Sequence, residues 1–297
     1  MQTFQLTAPK GWVGHRVVQF APDGRYLCVS TDTGNLFDTL SDQPPELLRH
    51  CVQGFASGGA LSVGGESPIT GTLVATDLRT KKSINSRQED CTIADCTVSP
   101  DGKLLYVALS LPLFSPSAHE HEIRVFAADS LQLRSAFGRG KSPIWRLTLS
   151  TNGERLAVLS YDGLKVWNVA TKGPAEVLVL ERPPRLVRDL ALSNDGSRLA
   201  TVDTSGLTIW DVTSGEQVVR SGKHRRAVGA IACNPTKPLL ATGDNAGRIF
   251  LWDYTGRVLT RFDWGLSEIS GLCFAPDGLR CAAVDKAGKV VVWDVDA

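Results

Sequence analysis

One tripeptide position recurs along this chain, and that recurrence restricts the fold more than any other feature. The turn-like triplets Pro22-Asp23-Gly24, Pro100-Asp101-Gly102, Thr151-Asn152-Gly153, Asn194-Asp195-Gly196 and Pro276-Asp277-Gly278 share it, and Asn234-Pro235-Thr236 occupies it in degenerate form. Their spacings are close to one or two periods of about 41 residues, apart from one stretched interval before Thr151, and a fixed period in this range marks a repeat architecture. A second series keeps step to the C-terminus: Phe37-Asp38, Thr76-Asp77, Trp167-Asn168, Trp210-Asp211, Trp252-Asp253 and Trp293-Asp294.

Between the markers the residues alternate with the two-residue period of a strand, as Val187, Asp189 and Ala191 do against Arg188, Leu190 and Leu192. A short apolar segment follows each triplet (Leu104-Leu105-Tyr106-Val107, Arg198-Leu199-Ala200-Thr201), then a Gly-bearing turn, the Trp-Asp strand, another turn and a more polar strand such as Gln217-Val218-Val219-Arg220. Four strands in about 41 residues, with no helix-period stretch, is the arithmetic of a propeller blade. The length of 297 residues then predicts an all-β fold, a seven-bladed propeller of four-stranded antiparallel blades, formed by residues 1–297 as one domain.

The period, the Pro-Asp-Gly turn and the Trp-Asp dipeptides resemble those of WD40-repeat proteins over essentially the whole chain, most strongly in residues 130–297. Blade two, roughly Val52 to Ile84, keeps only Val74-Ala75-Thr76-Asp77, and blade one has Phe37 in the tryptophan slot. The resemblance implies a supporting hydrogen-bond network of His, Asp, Ser/Thr and Trp. His224, Thr242 and Trp252 fit it in blade six, whereas the turn position expected to hold Asp is Ala246. The last blade ends without a fourth strand, so Thr3-Phe4-Gln5-Leu6-Thr7 is expected to supply it, closing the ring and burying an unpaired edge.

Catalytic signatures are missing: there is no Gly-x-Ser-x-Gly elbow, His-Glu-x-x-His pair or Gly-x-Gly-x-x-Gly loop. Gly138-Arg139-Gly140-Lys141-Ser142 mimics the end of a phosphate-binding loop, but the motif's first glycine would be Ser135 and no helix follows, so it reads as the connection into blade four. His119-Glu120-His121-Glu122 lies in the stretched interval, Leu111 to Glu122, and reads as a solvated loop rather than a metal site, since neighbours on an extended chain point to opposite faces. No catalytic residue, cofactor or metal is therefore expected. The seven cysteines are scattered and odd in number; Cys28 and Cys281 in second strands, and Cys96, Cys233 and Cys273 in first strands, read as small buried thiols. With 32 Lys+Arg against 31 Asp+Glu, nucleic acid is an unlikely partner, and the lack of an apolar span or leader predicts a soluble, cytoplasmic protein, monomeric on its own.

What remains is a non-catalytic scaffold binding a partner protein or peptide. In the resembled family the connections from one blade to the next share a rim, the top face, with the loops between second and third strands. Trp12, Trp145 and Trp264 break the repeat there, and Arg185, Arg188, Lys223, His224, Arg225 and Arg226, with Lys141 and Arg182, would form a basic arc suited to an acidic or phosphorylated peptide. The alternative is a propeller enzyme or sugar-binding propeller using the channel mouth, where Asp95, Arg146 and Asp189 hold equivalent first-strand positions.

Overall fold

The computed structural model describes residues 1–6, 17–30, 34–41, 45–48, 54–56, 61–65, 72–78, 80, 82–89, 92–110, 121–171, 173–180, 187–224 and 226–296. The strands are β1 (Gln2–Gln5); β2–β5 (Val17–Phe20, Tyr26–Ser30, Gly34–Asp38, Glu46–Leu48); β6–β9 (Gly54–Ala56, Leu61–Gly65, Thr72–Asp77, Ser83–Gln88); β10–β13 (Thr92–Val98, Leu104–Ser110, His121–Ala127, Leu133–Gly140); β14–β17 (Ile144–Leu149, Arg155–Ser160, Gly163–Asn168, Ala175–Leu180); β18–β21 (Asp189–Leu192, Arg198–Asp203, Gly206–Asp211, Gln217–Ser221); β22–β25 (Val228–Cys233, Leu239–Asp244, Arg248–Asp253, Val258–Asp263); and β26–β28 (Ile269–Phe274, Arg280–Asp285, Lys289–Asp294). They form seven four-stranded antiparallel sheets, and blade two, thin in the sequence, has its four strands.

The chain's first strand completes its last blade. β1 runs antiparallel to β28 with Gln2 opposite Val292 and Gln5 opposite Lys289, and the Leu6 amide donates to the Gly288 carbonyl at 2.8 Å. The closure is as expected, one residue earlier in the chain than the sequence pattern placed it.

The repeated turn owes its composition to a small hydrogen-bond device. In blade three the Ser99 hydroxyl donates to Asp101 (2.6 Å) and accepts the Leu104 amide (2.9 Å), while Asp101 accepts the Lys103 amide at 3.1 Å. The third residue turns left-handed, with φ between 68° and 76° at Gly24, Gly102, Gly153, Gly196 and Gly278, where a side chain would be strained. In blade six Asn234 replaces the device, its Oδ1 accepting the amides of Thr236 and Lys237.

Packing is wedge-like. The described buried apolar side chains fall into seven clusters, each shared by two neighbouring blades; one joins Leu61, Leu73 and Ala75 of blade two to Ile93, Leu105 and Phe126 of blade three. The seam between blades seven and one is packed like the others, by Leu6, Phe20, Leu27 and Phe37 against Ala282, Val284, Val290 and Val292. Phe37 thus does the work of the missing tryptophan, its ring tilted against that of Phe4 of the closing strand at 5.1 Å.

Two loop expectations are corrected. His121 and Glu122 are not loop residues: they open β12 and are buried, while 111–120, with His119 and Glu120, lie outside the described residues. Gly138, Arg139 and Gly140 belong to the outer strand of blade three rather than to the connection that follows it.

Candidate functional site: the top rim and the channel throat

The first strands of blades three, four, six and seven each carry a β-bulge near their upper end, between Ile93 and Asp95, Ile144 and Arg146, Val228 and Ala230, and Ile269 and Gly271. A bulge leaves one residue unpaired and re-aims its side chain. In blade four that residue is Trp145, 53% exposed, with its ring edge-on to Tyr161 at 5.9 Å. Tyr161 sits in the turn between β15 and β16 and is 73% exposed. Two large aromatic rings therefore stand together on the top rim.

Lys141, at the entry to blade four, and Lys223 and Arg226, at the entry to blade six, are exposed. Arg188, at the entry to blade five, reaches across blade six to Glu268 at 4.0 Å, and Glu268 also pairs with Lys286 at 2.9 Å. Trp12, Arg182, Arg185 and Arg225 lie outside the described residues.

Two expected contact residues face inward instead. His224 is 4% exposed and part of a complete network: its Nε2 meets the Thr242 hydroxyl at 2.6 Å, Trp252 Nε1 donates to the same oxygen at 2.7 Å, and its Nδ1 lies 3.3 Å from Asp244. If Nδ1–H donates to Asp244 and Nε2 accepts from Thr242, the hydroxyl oxygen is left to receive the indole. The carboxylate that Ala246 lacks is supplied by Asp244, two residues earlier, so the network expected to be incomplete is whole. Burial alone would push the Asp244 carboxyl up, but bonds from His224, Arg248 and the amides of Arg248 and Ala246 outweigh it and hold the carboxyl well below the usual range. Trp264 is half-buried, stacked on Phe262 at 4.8 Å and edge-on to Trp293 at 4.8 Å, and so caps its own blade.

One level below the rim, Asp95, Arg146 and Gly271, which follow the bulges, and Asp189 of the regular strand β18 line the channel throat. Arg146 donates through Nε to Asp189 at 3.1 Å, while Asp189 accepts the Ile231 amide and Asp95 the amides of Leu147 and Cys96. Two carboxylates and one guanidinium thus tie the innermost strands of blades three to six together. Burial pushes the Asp95 carboxyl above its ordinary range, against the pull of Arg146 and the two amides, and the charge of Asp189 raises Arg146. Blades six and seven offer only Ala230 and Gly271 at this level, leaving a cavity of about 190 Å³ beside the charged residues. The Cys233 thiol, lower in the channel wall, is pushed up to about 12 by burial and is no nucleophile near neutral pH.

A feature that the sequence pattern did not announce lies between blades two and three. Glu89 and Glu122 are buried carboxylates in a chain of alternating charge, Arg87–Glu89–Arg124–Glu122–Arg139. Arg87 also lies over the ring of Phe126, the residue in blade three's tryptophan slot, at 5.2 Å. Buried carboxylates need such partners. Among the described residues no group of His, Cys, Asp and Glu is arranged to hold a metal, and no helix is long and apolar enough to cross a membrane.

The seven four-stranded blades define the class of molecule: the chain is a seven-bladed β-propeller with the repeat of the WD40 type in at least one blade. Residues 215–253 match the family model described as WD domain, G-beta repeat. The Cps50 (Swd1) β-propeller domain of Myceliophteria thermophila superposes over 98% of this chain and 99% of its own, with a TM-score of 0.72 at 14% identity, a likeness of fold. Among curated proteins, the small ribosomal subunit protein RACK1y of Oryza sativa subsp. japonica is 37% identical over 25% of this chain and 22% of its own. Eukaryotic translation initiation factor 3 subunit I of Pyricularia oryzae is 32% identical over 28% and 26%, and WD repeat and SOCS box-containing protein 1 of Mus musculus is 42% identical over 19% and 14%. The matches thus span about a quarter or less of these relatives.

Proposed function

We propose that this chain is a non-catalytic interaction module, a rigid disc whose top rim holds a segment of a partner protein. The observation that carries the reading is the exposed Trp145–Tyr161 pair on the blade-four bulge. Rigid aromatic surface ordered before binding is what interface anchors provide. Arg188, Lys223 and Arg226, with Arg185, Arg225 and Trp12 as further candidates, would favour an acidic or phosphorylated segment, since Arg gives bidentate contacts to carboxylate and phosphate. His224 and Trp264 drop out of the contact set because both are committed to blade cores. On this reading the chain acts as a cytoplasmic monomer, without a cofactor, as a component among others; relatives named as a ribosomal protein and as an initiation-factor subunit are consistent with that role.

The test is capture from native extract by wild type, Trp145→Ala and the double variant Lys223→Glu/Arg226→Glu, with the contact mapped by cross-linking mass spectrometry. Cross-links at the top rim, lost in both variants and weakened by salt, support the reading, because like charges across an interface cost several kcal/mol. Equal capture by all three proteins, or cross-links on another face, removes it.

A further inference from the structure

The channel holds two adjoining cavities that a top-rim partner leaves unused. Below the throat lies a vestibule of about 390 Å³, walled by Phe20, Leu149, Leu192 and Phe274 and collared at the bottom face by Pro22, Pro100, Pro235 and Pro276 of the repeated turns. Its size falls within the ~300–1,000 Å³ of small-molecule sites, and such sites pair an apolar wall with a few convergent polar groups. Those groups are present where the two cavities meet. Gln19, Thr97 and Thr148 line both cavities, and their side chains have no hydrogen-bond partner among the described residues. Arg146 spends only Nε on Asp189, so both of its terminal nitrogens keep their donors toward the throat.

We propose that the channel binds a small neutral molecule with an amide-like head and an apolar body, entering through the proline collar. The head's carbonyl accepts from the terminal N–H groups of Arg146, and its N–H donates to the oxygens of Gln19, Thr97 or Thr148. The body lies against Phe20, Leu192 and Phe274. Neutrality follows from the charges that face the head: Asp189 already neutralises Arg146, so a carboxylate would meet Asp95 and Asp189 while gaining little from the guanidinium. An ammonium would meet Arg146. Burial also favours the protonated form of Asp95, which moves the throat toward net neutrality. This inference is independent of the top-rim reading.

Benzamide, benzoate and benzylamine share a ring and differ in the charge of the head. Each is titrated into the full chain while the methyl NMR signals of Ile231, Leu190 and Leu192 are followed. Benzamide is expected to shift these methyls, with the two charged probes at least about tenfold weaker, a difference of about 1.4 kcal/mol. Thr148→Phe, or Thr97→Phe should the first variant misfold, fills the junction and is expected to abolish the shifts. Trp145→Ala, on the rim, should leave them unchanged. No methyl response to benzamide, equal or stronger binding of either charged probe, or shifts that persist in a folded filling variant would overturn the proposal.

Discussion

Blades six and seven hold equivalent tryptophans by different means. In blade six, Trp252 is fully buried and its indole N–H ends on Thr242, which is tied through His224 to Asp244 and Arg248. In blade seven, Trp293 is 4% exposed, the threonine slot holds Ala283, and the indole nitrogen has no hydrogen-bond partner among the described residues. Trp264 and Phe262 pack against its ring instead, at 4.8 and 5.6 Å. Asp285 keeps the place of Asp244 but accepts the amides of Ser267 and Lys289 rather than a histidine. In these two blades the same position buries a large flat ring, but not by one particular way of satisfying it. Burying aromatic area can substitute for a polar network, and an orphaned N–H is the cost.

The comparison breaks most severely at the closing strand, which blade seven borrows and blade six does not need. Deleting residues 1–6 removes Leu6 and Phe4 from the seam and exposes the β28 edge. At about 1.5–3 kcal/mol per large apolar side chain and about 2–4 °C per kcal/mol, the melting midpoint should fall by roughly 10 °C, with aggregation visible in light scattering. An unchanged midpoint would mean that β1 contributes nothing to closure.

Next in size is Trp264→Ala, which should cost about 2–4 kcal/mol in urea unfolding, because the ring caps the blade-seven core. Trp145→Ala, also a repeat-breaking tryptophan, should cost under about 1 kcal/mol, since the bulge already exposes it. Equal costs would show that Trp145 is structural and would count against it as an anchor.

A step smaller is Thr242→Val, expected to cost about 2–3 kcal/mol by leaving the Trp252 N–H and a ring nitrogen of His224 unpaired. The pH dependence separates this network from bulk packing. The Asp244 carboxyl is lowered on folding, so its stabilisation is complete above the unfolded carboxylate pKa of about 4 and is lost as the pH falls below it. The deficit of Asp244→Asn against wild type should therefore shrink in acid; a deficit independent of pH would deny the carboxylate that role.

The smallest effect is a gain. Ala283→Ser offers Trp293 the acceptor it lacks and should stabilise by about 0.5–1 kcal/mol if the oxygen is accommodated. A loss of stability would show that blade seven is packed too tightly to accept a hydroxyl.

Most of the fold is legible in the sequence because it is written in local terms. Alternation, the Ser-x-Asp-Gly turn device and the Trp-Asp period each lie within a few residues, and their repetition allows weak units such as blade two to be located from their neighbours. What escapes the sequence comes from contacts between blades. The charge chain from Arg87 to Arg139 draws on a connecting residue and three strands, and nothing in any one of them marks Glu89 or Glu122 as buried. Asp244 escapes the repeat pattern because that pattern puts the carboxylate at position 246, which is alanine. In the sequence the rim is only a set of residue types in loops, and residue type alone does not separate Trp145, raised by a bulge, from Trp264, folded inward onto Trp293. Arg188 was likewise visible as a charge but not as a partner of Glu268.

The pairing of Gln2 with Val292 also sets an order of assembly. β1 is made long before its partner: at about 5–20 residues per second, synthesis of the intervening chain takes on the order of 15–60 s. Throughout that interval six blades can form from contiguous sequence, while the strand that will shut the ring waits as an unpaired edge. Circularity is thus acquired in a single late event between the most distant parts of the chain. A cell that truncates or stalls its synthesis is left with an open arc of blades, not a smaller ring.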